Sequence, residues 1–329
     1  MYLPEDKTSF IARCRDETLN MTDTSDLALT HAALISLCVV IALLGSTGNI
    51  LILHIYTHKI RLPVFGFFVR ALATLDLANS LYTIPSVIIF KVVTLNEDNQ
   101  NALCKFVSFT NHHSMLTTGM LYIGIAVQRF QKINRPHGPQ MTANKARRIV
   151  AICMTFSLLV SIPIILLVER FPMTTDSRNI TACNFNNITF KFIGDQKASL
   201  LLSVWVSLEL VVITGVLVVM YCLISKALRG YTNLSVTCGE NLLKPTTAFS
   251  ILTVIYFCCG IPITLLCFYC SMKKADKDIE PWKLNLVDLA LHLPFINCVV
   301  NPFVYSFSSG RFRSECKSVL CGRKARPVE

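Results

Sequence analysis

Seven long apolar stretches run through this chain of 329 residues, and they constrain its fold more than any other feature. A helix needs about 20 mostly apolar residues to cross a bilayer. Inside lipid, each backbone donor and acceptor must be satisfied within the chain, so each stretch is predicted to be a helix. The sequence therefore predicts an all-α membrane protein, a bundle of seven transmembrane helices. The predicted spans are 32–56, 67–91, 104–128, 148–168, 198–225, 247–270 and 284–307.

The distribution of charge predicts how the bundle sits in the membrane. The segment joining the third and fourth spans has no acidic residue and six basic ones: Arg129, Lys132, Arg135, Lys145, Arg147 and Arg148. Residues 1–30 carry six acidic residues against three basic ones. Because positively charged loops stay in the cytoplasm, we expect a multi-pass protein of the plasma membrane with an extracellular N-terminus. Three glycosylation sequons fall on the predicted outer side and agree with this orientation: Asn20, Asn179 and Asn187.

One membrane domain accounts for most of the chain. We expect an extracellular tail over 1–30, the transmembrane domain over 31–307, and an amphipathic helix with a cytoplasmic tail over 308–329. Phe312, Cys316, Val319 and Leu320 share one face at helical spacing, so this short eighth helix is predicted to lie in the membrane interface. Cys316 and Cys321 are candidate palmitoylation sites, with unmodified thiols as the alternative. The net charge of +11 is expected to face the lipid bilayer and a cytosolic partner rather than nucleic acid.

Polar residues and prolines interrupt the spans in a particular order and at particular depths. Arg129 ends the third span 25 residues after Cys104 begins it. The other spans contain Gly48-Asn49, Leu72-Ala73-Thr74-Leu75-Asp76, Cys259-Gly260-Ile261-Pro262 and Asn301-Pro302-Phe303-Val304-Tyr305. Over about residues 30–321 this arrangement resembles the rhodopsin-like (class A) family of G-protein-coupled receptors. The resemblance implies an extracellular ligand, a heterotrimeric G protein, arrestin as a further partner, and no catalysis.

The same resemblance implies a disulfide bond and an ion site. Cys104 and Cys183 are expected to form a bridge that holds the long outer loop over the bundle. A second bridge, between Cys14 and Cys270, is similar to one in some peptide receptors. Asp76 and Thr118 are the implied ligands of a sodium ion in the resting state, but Cys298 and Gly260 replace the hydroxyl and the tryptophan that are usual nearby. A water network around Asp76 is the alternative.

The inner half of the bundle carries the implied switch for G-protein coupling. The residues expected to act in it are Arg129, Tyr221, Tyr256, Pro262, Asn301, Pro302 and Tyr305. The two prolines remove helix donors and provide hinges. Gln128 stands where family members usually have an acid, and an acid would restrain the neighbouring Arg129. We therefore hypothesise raised signalling without ligand.

The outer half of the bundle is the implied ligand site. Its candidate residues are Asn111, His112, Met115, Trp205, Glu209, Asp288 and His292. Asn111 occupies the position where monoamine receptors have an aspartate, which argues against a monoamine ligand. A buried carboxylate requires a partner, so Glu209 is expected to pair either with His112 or with a basic group of the ligand. A peptide or small polar molecule is the favoured ligand; a lipid, an odorant and a pH-sensing role of the histidines are alternatives.

Two other classes of membrane protein find less support in the sequence. A transporter is disfavoured because the chain has no repeated half and no pair of interrupted helices. A membrane enzyme is disfavoured because no paired aspartates, His-Glu-x-x-His or Gly-x-Ser-x-Gly motif occurs at membrane depth.

Overall fold

The computed structural model describes residues 7–60, 62, 64–93, 95–175, 178–185, 195–232, 236–272, 286 and 289–321, and side chains within 32–60, 62, 64–93, 95–168, 201, 203–229, 246–266, 286 and 289–321. Within this part of the chain, six helices are long and apolar enough to cross a membrane. They are Ala32–His58, Phe65–Val92, Ala143–Leu167, Ser203–Arg229, Thr246–Leu266 and Leu289–Ser308. We call them spans 1, 2, 4, 5, 6 and 7, and the helix Glu97–Asn134 is span 3.

The full helices extend beyond some of these spans. Their bounds are Lys7–His58, Phe65–Ala78, Ile84–Val92, Glu97–Asn134, Ala143–Leu167, Asp195–Thr232, Val236–Met272, Asn297–Ser308 and Gly310–Cys321. A π-helical segment, Asn79–Thr83, joins the two halves of span 2, and a 3-10 segment, Leu293–Ile296, lies in span 7. The loop after span 4 forms an antiparallel hairpin of β1 (Val168–Thr175) and β2 (Arg178–Phe185), which the sequence analysis did not predict.

Span 3 lies at the centre of the bundle. It contacts spans 2, 4, 5 and 6 and both strands of the hairpin. Its composition is less apolar than that of the other spans because polar side chains face neighbouring helices instead of lipid. Ser114, Thr117 and Thr118 are all buried. The seven-helix bundle is thus confirmed, and its least apolar helix is the one that other helices surround.

Short-range hydrogen bonds fix the ends of two spans. The Asn96 side chain accepts from the Asn99 backbone N–H at 3.0 Å and caps span 3, and Glu97 and Asp98 add negative charge to the first turn. At the inner end of span 4, Thr142 accepts from the Lys145 N–H at 3.3 Å.

Pro302 leads to a hydrogen bond and a close approach between spans 1 and 7. Proline has no N–H, so the carbonyl of Cys298, four residues earlier, loses its helical donor. The Asn49 amide replaces that donor at 2.7 Å and also bonds the Gly45 carbonyl at 2.9 Å. Span 1 can come this close because residue 48 is glycine: a Cβ on Gly48 would lie 2.6 Å from Pro302 Cγ.

The helix Gly310–Cys321 is the predicted eighth helix. Ser309 caps its first turn by accepting from the Phe312 N–H at 3.1 Å. Arg313 reaches back to the last carbonyls of span 7, Ser306 at 3.0 Å and Phe307 at 2.9 Å. Phe312 is buried, whereas Leu320 at the far end of the apolar face is 72% exposed. The helix is therefore anchored at its start and turns an apolar surface outward further along.

Candidate functional site

A small polar cavity lies in the middle of the bundle, between spans 2, 3 and 7. Asp76 is 2% exposed, and the Asn301 amide donates to its Oδ2 at 2.5 Å. Asn79 donates to Ser114 Oγ at 2.5 Å and accepts from Thr83 at 3.1 Å. The cavity has about 10 Å³ of room for a water-sized species. Its lining is Asp76, Asn79, Asn111, Ser114, Met115, Thr118, Pro294, Phe295, Asn297 and Cys298.

The size and lining of this cavity suit one water molecule. One carboxylate oxygen of Asp76 is already bonded by Asn301. Cys298 contributes sulfur, a soft atom, where a hard cation prefers oxygen. The volume corresponds to roughly one water molecule. Asp76 and Thr118 both line the cavity, and so do Asn79, Asn111, Ser114 and Asn297, whose side chains also carry oxygen.

The outer half of the bundle contains a carboxylate–imidazole pair. The Ser161 hydroxyl donates to the Ser157 carbonyl at 2.7 Å, so its oxygen accepts from His112 Nδ1 at 2.8 Å. His112 Nε2 then lies 3.1 Å from Glu209 Oε2, within ion-pair distance but outside hydrogen-bond geometry. Trp205 lies beside the pair, with its ring centre 6.0 Å from that of His112. Of the two partners expected for Glu209, the internal one is therefore present.

The second oxygen of Glu209 is not satisfied. Its Oε1 is buried and has no hydrogen-bond partner among the residues whose side chains are described. Leaving such an acceptor buried costs about 1–3 kcal/mol. The pair with His112 thus leaves one acceptor available for a donor from outside the chain.

Two serines of span 4 support the histidines of span 3. Ser161 holds His112, and Ser157 lies 3.2 Å from His113 Nδ1. Ser157 also makes a short hydrogen bond with Thr117. Neither serine was among the residues predicted for the site, although two serines four residues apart in an otherwise apolar span indicate a polar helix face.

The other predicted ligand-site residues divide into three groups. Asn111 and Met115 line the central cavity. His292 is buried separately, with its ring centre 5.9 Å from that of Phe295. Asp288 lies outside the described residues.

The predicted disulfides and glycosylation sites are described only in part. Cys104 is disulfide-bonded, and span 3 contacts the strand that carries Cys183. The side chains of Cys14, Cys183 and Cys270 lie outside the described set, so both pairings stay predictions. The same holds for the three sequons, of which Asn20 lies in a helix, Asn179 lies in β2, and Asn187 is outside the described residues altogether.

Two glycines allow spans 3 and 6 to interlock below the ligand site. The Tyr256 hydroxyl donates to the Met115 carbonyl at 3.1 Å. It reaches this position because Gly119 has no side chain: a Cβ there would lie 2.7 Å from the hydroxyl. Conversely, the methyl end of Met115 occupies the space beside Gly260, where a Cβ would lie 2.5 Å from it. Met115 therefore fills part of the volume that a bulky residue 260 would take.

At the inner end of span 3, Arg129 is held by an aromatic ring. Its guanidinium carbon lies 4.6 Å from the centre of the Phe65 ring, a cation–π distance. Arg129 Nε and Gln128 Oε1 are both buried and lack hydrogen-bond partners among the described residues. The arginine thus has a restraint that the sequence analysis did not foresee.

An aromatic cluster packs around this arginine at the same end of the bundle. Tyr305 lies between Phe249 and Tyr56, with ring centres at 6.0 Å and 6.2 Å, and Phe312 stacks on Tyr56 at 6.1 Å. Phe65 meets Phe249 edge-to-face at 5.5 Å. On span 5, the Tyr221 hydroxyl accepts from Thr253 at 3.2 Å. Rings from five helices would have to repack before a cavity could open at this end of the bundle.

Comparisons with known proteins agree with this arrangement. The chain is 24% identical to the RYamide receptor of Drosophila melanogaster over 291 residues, which cover 84% of the chain and 60% of that receptor. It is 24% identical to the C3a anaphylatoxin chemotactic receptor of Oncorhynchus mykiss over 87% of the chain and 76% of that protein. It is 23% identical to neuropeptide receptor 22 of Caenorhabditis elegans over 81% of the chain and 64% of that protein.

The family comparison is decisive. The sequence model of the 7 transmembrane receptor (rhodopsin family) matches residues 48–305, which is well over half of the chain. The match includes the polar cavity, the carboxylate–imidazole pair and Arg129. With its multi-pass helical bundle, the chain belongs to the rhodopsin family of seven-transmembrane receptors, a receptor family and not an enzyme family.

Proposed function

We propose that this receptor binds an extracellular peptide or small polar molecule carrying a cationic group, and that binding opens its inner face to a heterotrimeric G protein. The ligand class is supported by two relatives, one named for RYamide and one for a neuropeptide. Orientation with the N-terminus outside and residence in the plasma membrane are part of the same proposal. They rest on the basic inner loops and on the three outer sequons.

The carboxylate of Glu209, whose Oε1 atom is buried, carries the ligand proposal. His112 engages Oε2, while Oε1 has no partner among the described side chains. A cationic ligand group would satisfy Oε1 without displacing the imidazole. Hydrogen bonds to charged groups contribute about 1.5–3 kcal/mol, so this contact corresponds to roughly 10- to 150-fold in potency.

The test is a screen of pooled peptides and small molecules on cells expressing the receptor, with several G-protein pathways measured in parallel. For an agonist found in this way, Glu209→Gln should reduce potency at least about tenfold. Asp98→Asn is the matched control, because it removes an exposed carboxylate from the outer end of span 3. An agonist that is neutral and keeps its potency in both Glu209→Gln and Asp288→Asn would refute the cationic-ligand proposal.

We further propose that the inner switch is restrained only weakly, so that ligand-free signalling is raised. Support comes from the absence of a carboxylate beside Arg129: the neighbour is Gln128, and the contact present is with Phe65. Gln128→Glu would add a carboxylate next to the guanidinium and should lower ligand-free signalling. Unchanged signalling at equal surface expression would contradict this part of the proposal.

The remaining site proposals have separate tests. We propose that water, not sodium, fills the cavity beside Asp76, in which case exchange of sodium for potassium leaves agonist affinity unchanged. If agonist affinity depends on sodium and Asp76→Asn abolishes that dependence, the cavity binds sodium and not only water.

Palmitoylation of Cys316 and Cys321 should appear as hydroxylamine-sensitive acyl label, and both cysteines are free thiols in the structure. Arrestin recruitment after agonist treatment would identify the second cytosolic partner.

A further inference from the structure

Two arginines converge on one aromatic ring at the inner membrane face, where spans 2 and 4 pack together. The guanidinium carbon of Arg70 lies 4.7 Å from the centre of the Phe67 ring, and that of Arg147 lies 5.2 Å from the same point. The two cations are therefore no farther apart than about 10 Å, the Debye length at 0.1 M ionic strength. At this separation their mutual repulsion is only partly screened.

Neither arginine has an acidic partner in the part of the chain whose side chains are described. Arg70 donates from Nε to the Gly66 carbonyl at 3.2 Å, which leaves its charge uncompensated. Among the described residues, neither guanidinium forms an ion pair with a carboxylate. The nearest segments in sequence, at the starts of spans 2 and 4, contain no acidic residue. The ring thus positions two positive charges that no described carboxylate neutralises.

Arg70 is the sixth residue of span 2 and Arg147 the fifth residue of span 4, so both lie near span ends, where lipid headgroups are expected. One helical turn further into the membrane, Thr74 follows Arg70 and Ala151 follows Arg147, and both are exposed on the outside of the bundle. The next residue, Ile152, is 62% exposed, as expected for a lipid-facing side chain. The two guanidinium groups therefore lie where the apolar surface of the bundle ends.

From this arrangement we propose that Arg70 and Arg147 form a binding site for the phosphate-bearing headgroup of an anionic lipid of the inner leaflet. Guanidinium groups bind phosphate through paired, charge-assisted hydrogen bonds. A phosphate at this site neutralises both cations, while the acyl chains lie against the exposed face of span 4. Phe67 acts as a positioning residue, since its ring holds both guanidinium groups in place.

The test uses the purified full-length receptor and native mass spectrometry to measure retained lipid. The probes are phosphatidylinositol bisphosphate and phosphatidylserine, with phosphatidylcholine as the neutral reference. A charge-assisted hydrogen bond contributes about 1.5–3 kcal/mol, so Arg70→Gln or Arg147→Gln should each reduce retention of the anionic lipid at least about tenfold. A basic residue that only lies near an anionic surface contributes about 1 kcal/mol, or about fivefold at most. Lys226→Gln is the matched control, because it removes one exposed positive charge from the inner end of span 5.

Phe67→Leu tests whether the ring positions the two arginines, because it leaves their charges unchanged. It should still reduce retention of the anionic lipid, since the guanidinium groups are no longer held in place. Equal losses in Arg70→Gln and in the Lys226→Gln control would show diffuse attraction and overturn the proposal. Full retention in the two arginine variants, with G-protein activation reduced instead, would assign the pair to a protein partner and also overturn it.

Binding of a soluble headgroup distinguishes a lipid from a free phosphate compound. Soluble inositol trisphosphate should bind far more weakly than the lipid; equal affinity would identify a free phosphate compound as the ligand and refute a lipid site. Surface expression and the thermal midpoint are measured for each variant. A variant that fails to fold is replaced by Arg70→Lys or Arg147→Lys, which keep the charge but lose the paired phosphate contact. These lysine variants should retain lipid only partly, and full retention in them would contradict a site built on guanidinium geometry.

Discussion

Gly119→Ala is expected to break the interlock between spans 3 and 6. The new Cβ would lie 2.7 Å from the Tyr256 hydroxyl and 2.9 Å from Ile213 Cδ1, distances that side chains do not tolerate. Tyr256 is 1% exposed, and its ring packs on Tyr122 with centres 5.9 Å apart, so it cannot swing away freely. Overpacking of this kind costs about 1–3 kcal/mol. It also displaces the hydroxyl from the Met115 carbonyl, a contact that contributes about 0.5–1.5 kcal/mol.

The assay is the thermal midpoint of the purified receptor, measured beside ligand-free G-protein activation in cells at equal surface expression. Gly119→Ala should lower the midpoint and raise ligand-free activity, because spans 3 and 6 are pushed apart where Tyr256 joins them. Tyr256→Phe in the same chain removes the clashing oxygen. The double variant should therefore recover part of the loss, with a coupling of about 0.5–3 kcal/mol in the mutant cycle.

Gly215→Ala is the matched control for this prediction. A Cβ on Gly215 meets no atom within 4 Å, and alanine is favoured over glycine within a helix by about 0.5–1 kcal/mol. The control should be neutral or slightly stabilising. Equal thermal midpoints for Gly119→Ala and Gly215→Ala, or no recovery with Tyr256→Phe, would refute the interlock.

Three further predictions concern contacts that hold the switch and the ligand site. Phe65→Leu removes the ring under Arg129, worth about 0.5–2 kcal/mol, and should raise ligand-free signalling by roughly 2- to 30-fold. Asn49→Leu leaves a buried carbonyl of span 7 without a donor and should destabilise the receptor by about 1–3 kcal/mol, measured as a lower thermal midpoint. Ser161→Ala removes the acceptor of the His112 Nδ1 proton and should weaken agonist potency about 2- to 12-fold through loss of one hydrogen bond.

Each of these variants has a control of the same chemistry. Phe303→Leu shortens an aromatic side chain that is 49% exposed on the outside of span 7. Thr47→Val removes an exposed polar group that bonds only within span 1, at 2.8 Å from the Leu43 carbonyl. Ser86→Ala removes an exposed serine hydroxyl that bonds only the Tyr82 carbonyl, at 2.8 Å. A control that changes the measured property as much as its partner variant would contradict the corresponding prediction.

The sequence by itself determined the architecture of this protein. A bilayer permits only helices along seven apolar stretches of this length, and the motif order from Asp76 to Tyr305 was sufficient to indicate the family. The amphipathic pattern after span 7 likewise predicted the short helix that begins at Gly310. These conclusions depend on periodicity, length and local chemistry, which are properties of the chain before it folds.

Only the tertiary structure decided which polar groups meet. Glu209 had two equally reasonable partners in the sequence, and helix packing placed His112 at 3.1 Å. Gln128 signalled a missing restraint on Arg129, but nothing in the sequence indicated that Phe65 would take its place. Contacts between residues on different helices depend on how each helix is rotated and how closely it packs. Small residues such as Gly48 and Gly119 set that closeness, and their effect appears only when the neighbouring helix is in place.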